Sequence, residues 1–286
     1  MTLPLPRIHL VSFVGDSDAA LLPHLVDHYR SLGVESFFVI RQVDTVDSPA
    51  YERIGAAAEA ADIELFHTHV GPWSLQVNQR LVRFAMTKHP RDWFIAVDGD
   101  EFQVYDRPLH ELIERCESAG ATHVNGCFLD RIGPEGTLPE IGAGPLWDQF
   151  PLAGSVSAGL LRALPLKVGI ARGDVALVTG QHGTAHGRGL PRSESFIQVH
   201  HFKWTASAVE RVARRVERMS AHEGDPIYRS IIKESMRFLD HVRGHGGRFD
   251  TADPRFRLRE CGSEYGDHPE WKAIAEEAQQ WRWATA

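Results

Sequence analysis

The sequence predicts an α/β fold in which a mostly parallel central sheet is flanked by helices. Three features point there. Short apolar runs of strand length alternate with helical periodicities through the first third of the chain, the order that lays parallel strands side by side with helices on their faces. Residues 93–97 (WFIAV) are apolar at every position, as in a central strand covered on both faces. Beyond residue 120 the alternation gives way to a Gly- and Pro-rich stretch and then to a helical tail.

Residues 9–14 (HLVSFV) form the first strand. Over 18–32, Leu21, Leu22, Leu25, Val26, Tyr29 and Leu32 recur at helical spacing, and Gly33 stands where a helix C-cap belongs. A second strand follows at 36–40 (SFFVI), a helix at 50–61 and a third strand at 63–66. Ser74 is placed to cap a third helix, with Leu75, Leu81, Val82 and Ala85 on its apolar face and Pro90 ending it. After the WFIAV strand come a helix at 109–119 and a strand at 123–129. Residues 133–159 hold four prolines and six glycines with little periodicity and read as a long shaped loop, anchored by Trp147 and Phe150. Residues 166–171 and 175–178 read as a β-pair around Arg172-Gly173-Asp174, and 180–189 as a Gly/His-rich loop. Ser207 with Glu210 makes a capping-box pattern, and Val209, Val212, Val216 and Met219 then share one helix face. Trp271, Ile274, Ala278 and Trp281 repeat that rhythm behind Pro269. No internal repeat or Ser/Pro linker divides the chain. The expected organisation is one main domain over 1–205 with a helical C-terminal extension over 206–286.

Composition narrows the function. The chain has 286 residues, which at roughly 150 per domain means one or two domains, and no disulfide or metal is needed to hold such a core. A formal charge of −7 with 24% charged and 43% hydrophobic residues excludes a disordered chain and a sequence-blind nucleic-acid binder. No apolar run approaches the roughly 18 residues of a membrane span, and residues 1–7 carry no signal-peptide core. Cys116, Cys127 and Cys261 are odd in number and lack CxxC spacing, so neither a disulfide framework nor a thiolate zinc site is expected. The expectation is a reduced, cytoplasmic protein with neither membrane nor nucleic acid as partner.

Chemistry concentrates at Asp98-Gly99-Asp100-Glu101-Phe102. As a bare pattern Asp-x-Asp is weak, and Asp16-Ser17-Asp18 shows it a second time. Its position directly after the WFIAV strand gives it weight, because ligands of open α/β sheets bind at the carboxyl ends of the strands. Three acids within four residues repel one another unless a cation or a set of donors neutralises them, and a hard divalent cation suits such carboxylates together with substrate phosphates. The alternative is that these acids serve the N-terminus of the helix that follows. Histidines are the second signal: sixteen in all, with His182 and His186 in the Gly-rich loop and His200-His201 after it. A mixed Asp/His set suits Mn²⁺ or Mg²⁺ with one imidazole, and only one of two adjacent strand histidines points into a site. Asp98, Asp100, His182 and His201 are the expected metal ligands. There is no GxGxxG after the first strand, and no GxxxxGK[ST], GxSxG or HExxH anywhere.

Taken together, Leu22-Pro23-His24, His28-Tyr29-Arg30-Ser31-Leu32-Gly33-Val34, Gln76 with Asn78, Asp92-Trp93 and the Asp98–Phe102 motif resemble the GT-A glycosyltransferases of the family 2 and family 92 type. The resemblance covers roughly residues 8–205. It implies a Rossmann-like GT-A fold with a nucleotide-binding half over 1–102 and an acceptor half over 103–205. It implies that Asp100 coordinates Mn²⁺ or Mg²⁺ at the donor diphosphate, that Asp98 lies near the ribose or a metal-bound water, and that a later histidine completes the metal shell. Arg41-Gln42-Val43-Asp44 departs from the Asp-Asn-x-Ser that such enzymes tend to carry after the second strand. The expected activity is transfer of a sugar from a UDP- or GDP-sugar to a hydroxyl of a small or glycosidic acceptor, with inversion. Inversion needs a base on the acceptor, for which Asp130, Asp148 and Asp174 are candidates, Asp130 first. Arg172 and Lys203 are expected at the donor phosphates, and Trp147 and Phe150 at the acceptor sugar ring. A non-catalytic nucleotide or carbohydrate binder and a metal-dependent phosphoester hydrolase are the rival readings. The tail helix is a possible homodimer contact.

Overall fold

The computed structural model describes residues 6–221 and 224–280. The chain divides into two compact units, one built from the residues up to Gly126 with Lys167–Val199, the other from Cys127–Leu166 with the residues from His200 onward. Compactness therefore divides the chain otherwise than at residue 205, and the tail folds with 127–166.

The first unit is the α/β layer. Its strands β1 (Ile8–Val14), β2 (Ser36–Val43), β3 (Leu65–Val70) and β4 (Trp93–Asp98) alternate with helices α1 (Leu22–Ser31), α2 (Pro49–Ala60) and α3 (Leu75–Met86). The sheet order is β4-β1-β2-β3 and every pairing in it is parallel, with Phe13 opposite Asp98 where β1 lies against β4. All seven residues of β1 are buried, as is every residue of β4 but Asp98, which is the two-faced burial that an all-apolar central strand requires. One core packs Val11, Phe13, Ile40, Phe94 and Ala96 of the strands against Val82, Ala85 and Met86 of α3. The Ser48 side chain caps α2 at the Ala50 N–H, with Pro49 at the first helical position. Ser74 caps no amide of α3, and its hydroxyl goes to Gln76 instead.

After β4 the chain turns through Gly99 and Asp100 into β5 (Glu101–Val104), then runs through α4 (Leu109–Ala119) into β6 (His123–Ile132). The 98–101 acids thus stand on a strand–turn–strand and serve no helix N-terminus. The expected β-pair at 166–178 does not form. Residues Leu166–Arg172 make β8, which runs antiparallel to β4 with Trp93 opposite Arg172, while 175–178 is irregular.

In the second unit, the far half of β6 pairs antiparallel with β7 (Leu152–Gly154), which follows the short helix α5 (Leu146–Gln149). β7 in turn pairs with β10 (Arg259–Glu260), and the last two residues of β9 (Ile197–His201) begin the tail of this unit. Helices α6 (Ala208–Ser220) and α7 (Pro226–Gly244) close a core of Trp204, Val212, Phe238, Val242, Phe249 and Phe256. The Ser207 capping box is absent, its hydroxyl lying 3.2 Å from that of Thr205. α8 (Trp271–Gln280) buries Trp271 and Ile274, and Trp281 lies outside the described residues. Among the described residues no helix is long and apolar enough to cross a membrane, and all three cysteines are buried and outside any disulfide.

Candidate functional site at the carboxyl edge of the parallel sheet

β1 and β4 end side by side, so the loop after β1 (Asp16-Ser17-Asp18) meets the 98–101 turn. Gly99 is required by that approach. A Cβ there would stand 2.8 Å from the Cβ of Asp18 and 3.3 Å from the carbonyl oxygen of Phe13. Gly99→Ala is therefore expected to cost about 1–3 kcal/mol by overpacking. Denaturant titration checks it, and an unchanged midpoint would refute the close approach.

Each acid at this edge has a definite environment. Asp16 accepts two bonds from the Arg53 guanidinium, at 2.9 and 2.6 Å. Asp18 accepts from the Gly15 N–H at 3.0 Å and so shapes its own loop. Asp98 has 51% of its side chain exposed, whereas Asp100 is 8% exposed. Glu101 is buried and meets the Lys167 ammonium at 2.8 Å. Lys167, itself only 2% exposed, also lies 3.5 Å from Asp98 and donates to the Gly180 carbonyl and the Gln181 side chain at 3.0 and 2.7 Å. Burial works against a charged lysine, but the field of Glu101, Asp98 and Asp100 outweighs it and holds the Lys167 pKa above the ordinary value.

α1 positions the turn from behind. The buried Tyr29 hydroxyl donates to the Glu101 carbonyl at 3.0 Å and accepts from the Gln103 N–H at 2.9 Å. Burial pushes the His28 imidazole down to about 4, so it is neutral and donates from Nε2 to the Gln103 carbonyl at 2.8 Å. The His28-Tyr29 pair thereby clasps β5 and fixes where Glu101 points.

Sequence reasoning placed Asp98 and Asp100 correctly at a strand end. It missed Lys167, whose signal was a lone charge inside an apolar strand (LKVGIA). His182 lies in the loop that holds Lys167 through Gly180 and Gln181. Arg172 and Asp174 do not join the acids. They pair with each other at 2.7 and 2.8 Å beside Trp93, at the amino end of β4, about 17 Å along the strand from Asp98. β8 runs antiparallel to β4, which carries its last residues to the opposite edge.

In the second unit Asp130 has no solvent-exposed surface, and it accepts from the Ser157 N–H (2.5 Å) and hydroxyl (2.7 Å), His201 Nδ1 (3.2 Å) and Trp204 Nε1 (3.2 Å). A carboxylate enclosed in this way acts as a structural anion, which corrects its assignment as the acceptor base. Burial alone would raise its pKa, but donation from His201 and Ser157 outweighs that and holds it below the ordinary range. His201 stacks on Phe128 at 4.5 Å with Nδ1 given to Asp130. Phe150 is fully buried against Phe202, so it belongs to the core and is not an acceptor platform. Trp147 is half-buried, edge-on to His200 and Phe202, with the Arg131 guanidinium 5.0 Å from its ring. Asp148 is exposed, and the Lys203 ammonium lies 5.1 Å from the Trp204 ring. Arg41, where the resemblance expected an aspartate, sits 3.4 Å over the Tyr51 ring and donates to Thr68 at 3.1 and 3.0 Å.

No protein-family model matches the chain, and no curated sequence does. Among solved structures, S. aureus TarS 1-349 is similar at 11% identity and a TM-score of 0.34, over 96% of this chain and 82% of that one. A 4-diphosphocytidyl-2C-methyl-D-erythritol synthase is similar at 13% identity and a TM-score of 0.34, over 60% of this chain and 78% of that one. A putative glucose-1-phosphate thymidylyltransferase from Bacillus anthracis follows at 9% and 0.27, over 48% and 60%. Likenesses of this size leave the functional argument to the side chains themselves.

Proposed function

We propose that the protein is a metal-dependent glycosyltransferase of the GT-A type, moving a sugar from a UDP- or GDP-sugar to a hydroxyl of a small or glycosidic acceptor, with inversion. The observation that carries the reading is the 98–101 turn itself. It stands at the carboxyl edge of a parallel sheet, and its Asp98 is half-exposed while Glu101 is pinned by a buried lysine. The resemblance of the Asp98–Phe102 motif and the His28–Val34 segment to family 2 and family 92 enzymes supports it.

The donor set fits the cofactor, since carboxylate oxygens suit Mn²⁺ or Mg²⁺. Asp98 and Asp100 would hold the ion, with His182 or His201 as the imidazole. When bound, it supplies charge neutralisation at the departing diphosphate. The chain's own part is to hold the turn rigid: Lys167 anchors Glu101, and Tyr29 and His28 anchor the backbone behind it. Of the acids considered for the acceptor base, Asp148 keeps an exposed carboxylate and takes that role in this reading. Lys203 and Trp147 keep their proposed places at donor phosphate and acceptor ring.

A thermal-shift screen of nucleoside diphosphates with and without Mn²⁺ tests the reading, because a ligand that binds only the folded state raises its melting temperature. UDP or GDP is expected to shift the wild type only with Mn²⁺ present. Asp100→Ala is expected to abolish that shift and to lower kcat/KM for transfer by about a hundredfold or more, roughly 2.7 kcal/mol at the transition state. A variant that transfers sugar like the wild type overturns it. A wild type that binds the nucleotide but turns over no donor is a binding protein, and one that releases phosphate from aryl phosphates without an acceptor is a hydrolase.

A further inference from the structure

We infer that the opposite, amino edge of the sheet carries a second metal site, for Zn²⁺, formed by His9, His89 and Asp92. It stands apart from the proposed transferase reading and rests on different residues. His9 is the second residue of β1, where it pairs with Phe94 of the neighbouring strand, and Asp92 precedes β4 directly. His9 Nε2 lies 3.0 Å and His89 Nδ1 3.5 Å from the same oxygen, Oδ2 of Asp92. Ligand atoms about 3.4 Å apart are what a tetrahedral ion with bonds near 2.0–2.1 Å requires. All three donor atoms lie within 4.8 Å of one another.

The surroundings prepare the donors. Asp92 Oδ1 accepts the Arg7 N–H at 3.3 Å, which turns Oδ2 toward the imidazoles. His9 Nε2 donates to Asp92 Oδ2 at 3.0 Å and Nδ1 accepts from the Ser36 hydroxyl at 2.5 Å; an ion at Nε2 would move the ring proton to Nδ1, where the Ser36 oxygen can accept it. The turn carrying the other two ligands is rigid. Asp92 N–H donates to the His89 carbonyl at 3.1 Å, and Gly173 packs so closely that a Cβ there would lie 2.3 Å from that same carbonyl oxygen. Phe38 and Phe94 wall the site on the sheet side. His89 and Asp92 are 42% and 21% exposed at their side chains, so the ion has an entry path and a fourth position open to water. Two imidazoles and one carboxylate select Zn²⁺ over the Mg²⁺ or Mn²⁺ suited to an all-carboxylate set.

The test uses the full chain stripped by a chelator and titrated with Co²⁺, whose visible ligand-field bands report a tetrahedral nitrogen–oxygen site. One equivalent is expected to saturate the signal, Zn²⁺ to displace it, and Zn²⁺ to raise the melting temperature. His89→Ala and Asp92→Asn, both at partly exposed positions, are each expected to weaken binding by tenfold or more, and Ser36→Ala to weaken it less. Asp98→Asn/Asp100→Asn is expected to leave the Co²⁺ titration unchanged, separating this site from the other edge. Absence of a saturable tetrahedral signal in the wild type, or wild-type titrations in folded His89→Ala and Asp92→Asn, overturns the assignment.

Discussion

Lys167→Met is expected to lower the unfolding free energy by about 3–5 kcal/mol, the cost of leaving a buried partner charge uncompensated. Lys167 sits 2.8 Å from buried Glu101 and also holds Gly180 and Gln181, so its loss releases both the acidic turn and the 179–182 loop. Urea denaturation of Lys167→Met, Glu101→Gln and the double variant measures the coupling directly. The double variant is expected to recover part of the loss, because two residues in contact do not act additively. Additive losses would mean that the pair is not coupled. The same contact predicts an alkaline limit to stability. The folded Lys167 pKa lies above the unfolded value, so its contribution is complete below the ordinary lysine range and fades as pH rises through the elevated value. Lys167→Met is expected to lack that alkaline decline.

Asp130→Ala is expected to cost a similar 3–5 kcal/mol, since it strands buried donors of Ser157, His201 and Trp204 at once. The Asp130 pKa is depressed in the fold, so the stability it contributes is complete above the ordinary carboxylate range and is lost as pH falls through the lowered value. The variant's stability is accordingly expected to lose its steep acid dependence. A folded Asp130→Asn with wild-type stability and no sugar transfer would instead restore the residue as a base.

The parallel strands were legible because two-faced burial writes itself into the chain as uninterrupted apolar runs, as in WFIAV. The acidic turn was legible because it follows such a run directly. α7 was readable in Asp225-Pro226, a cap before a first-turn proline, with Ser235, Phe238, Leu239 and Val242 on the buried face, but it passed unrecognised. Arg172, Asp174 and Lys167 depended on a fact no local pattern holds. β8 threads beside β4, 73 residues earlier by start of strand (166 − 93), and in the opposite direction. That pairing sends Lys167 toward the acids and Arg172 away from them.

The order of synthesis gives the interleaved units a cost. A ribosome that has released the first 126 residues has delivered Asp98, Asp100 and Glu101 but not the lysine that answers them, nor the strand that covers β4. Until the chain reaches Arg172, the nascent α/β layer carries unneutralised acids and a bare sheet margin, which makes that interval the one in which a chaperone matters most.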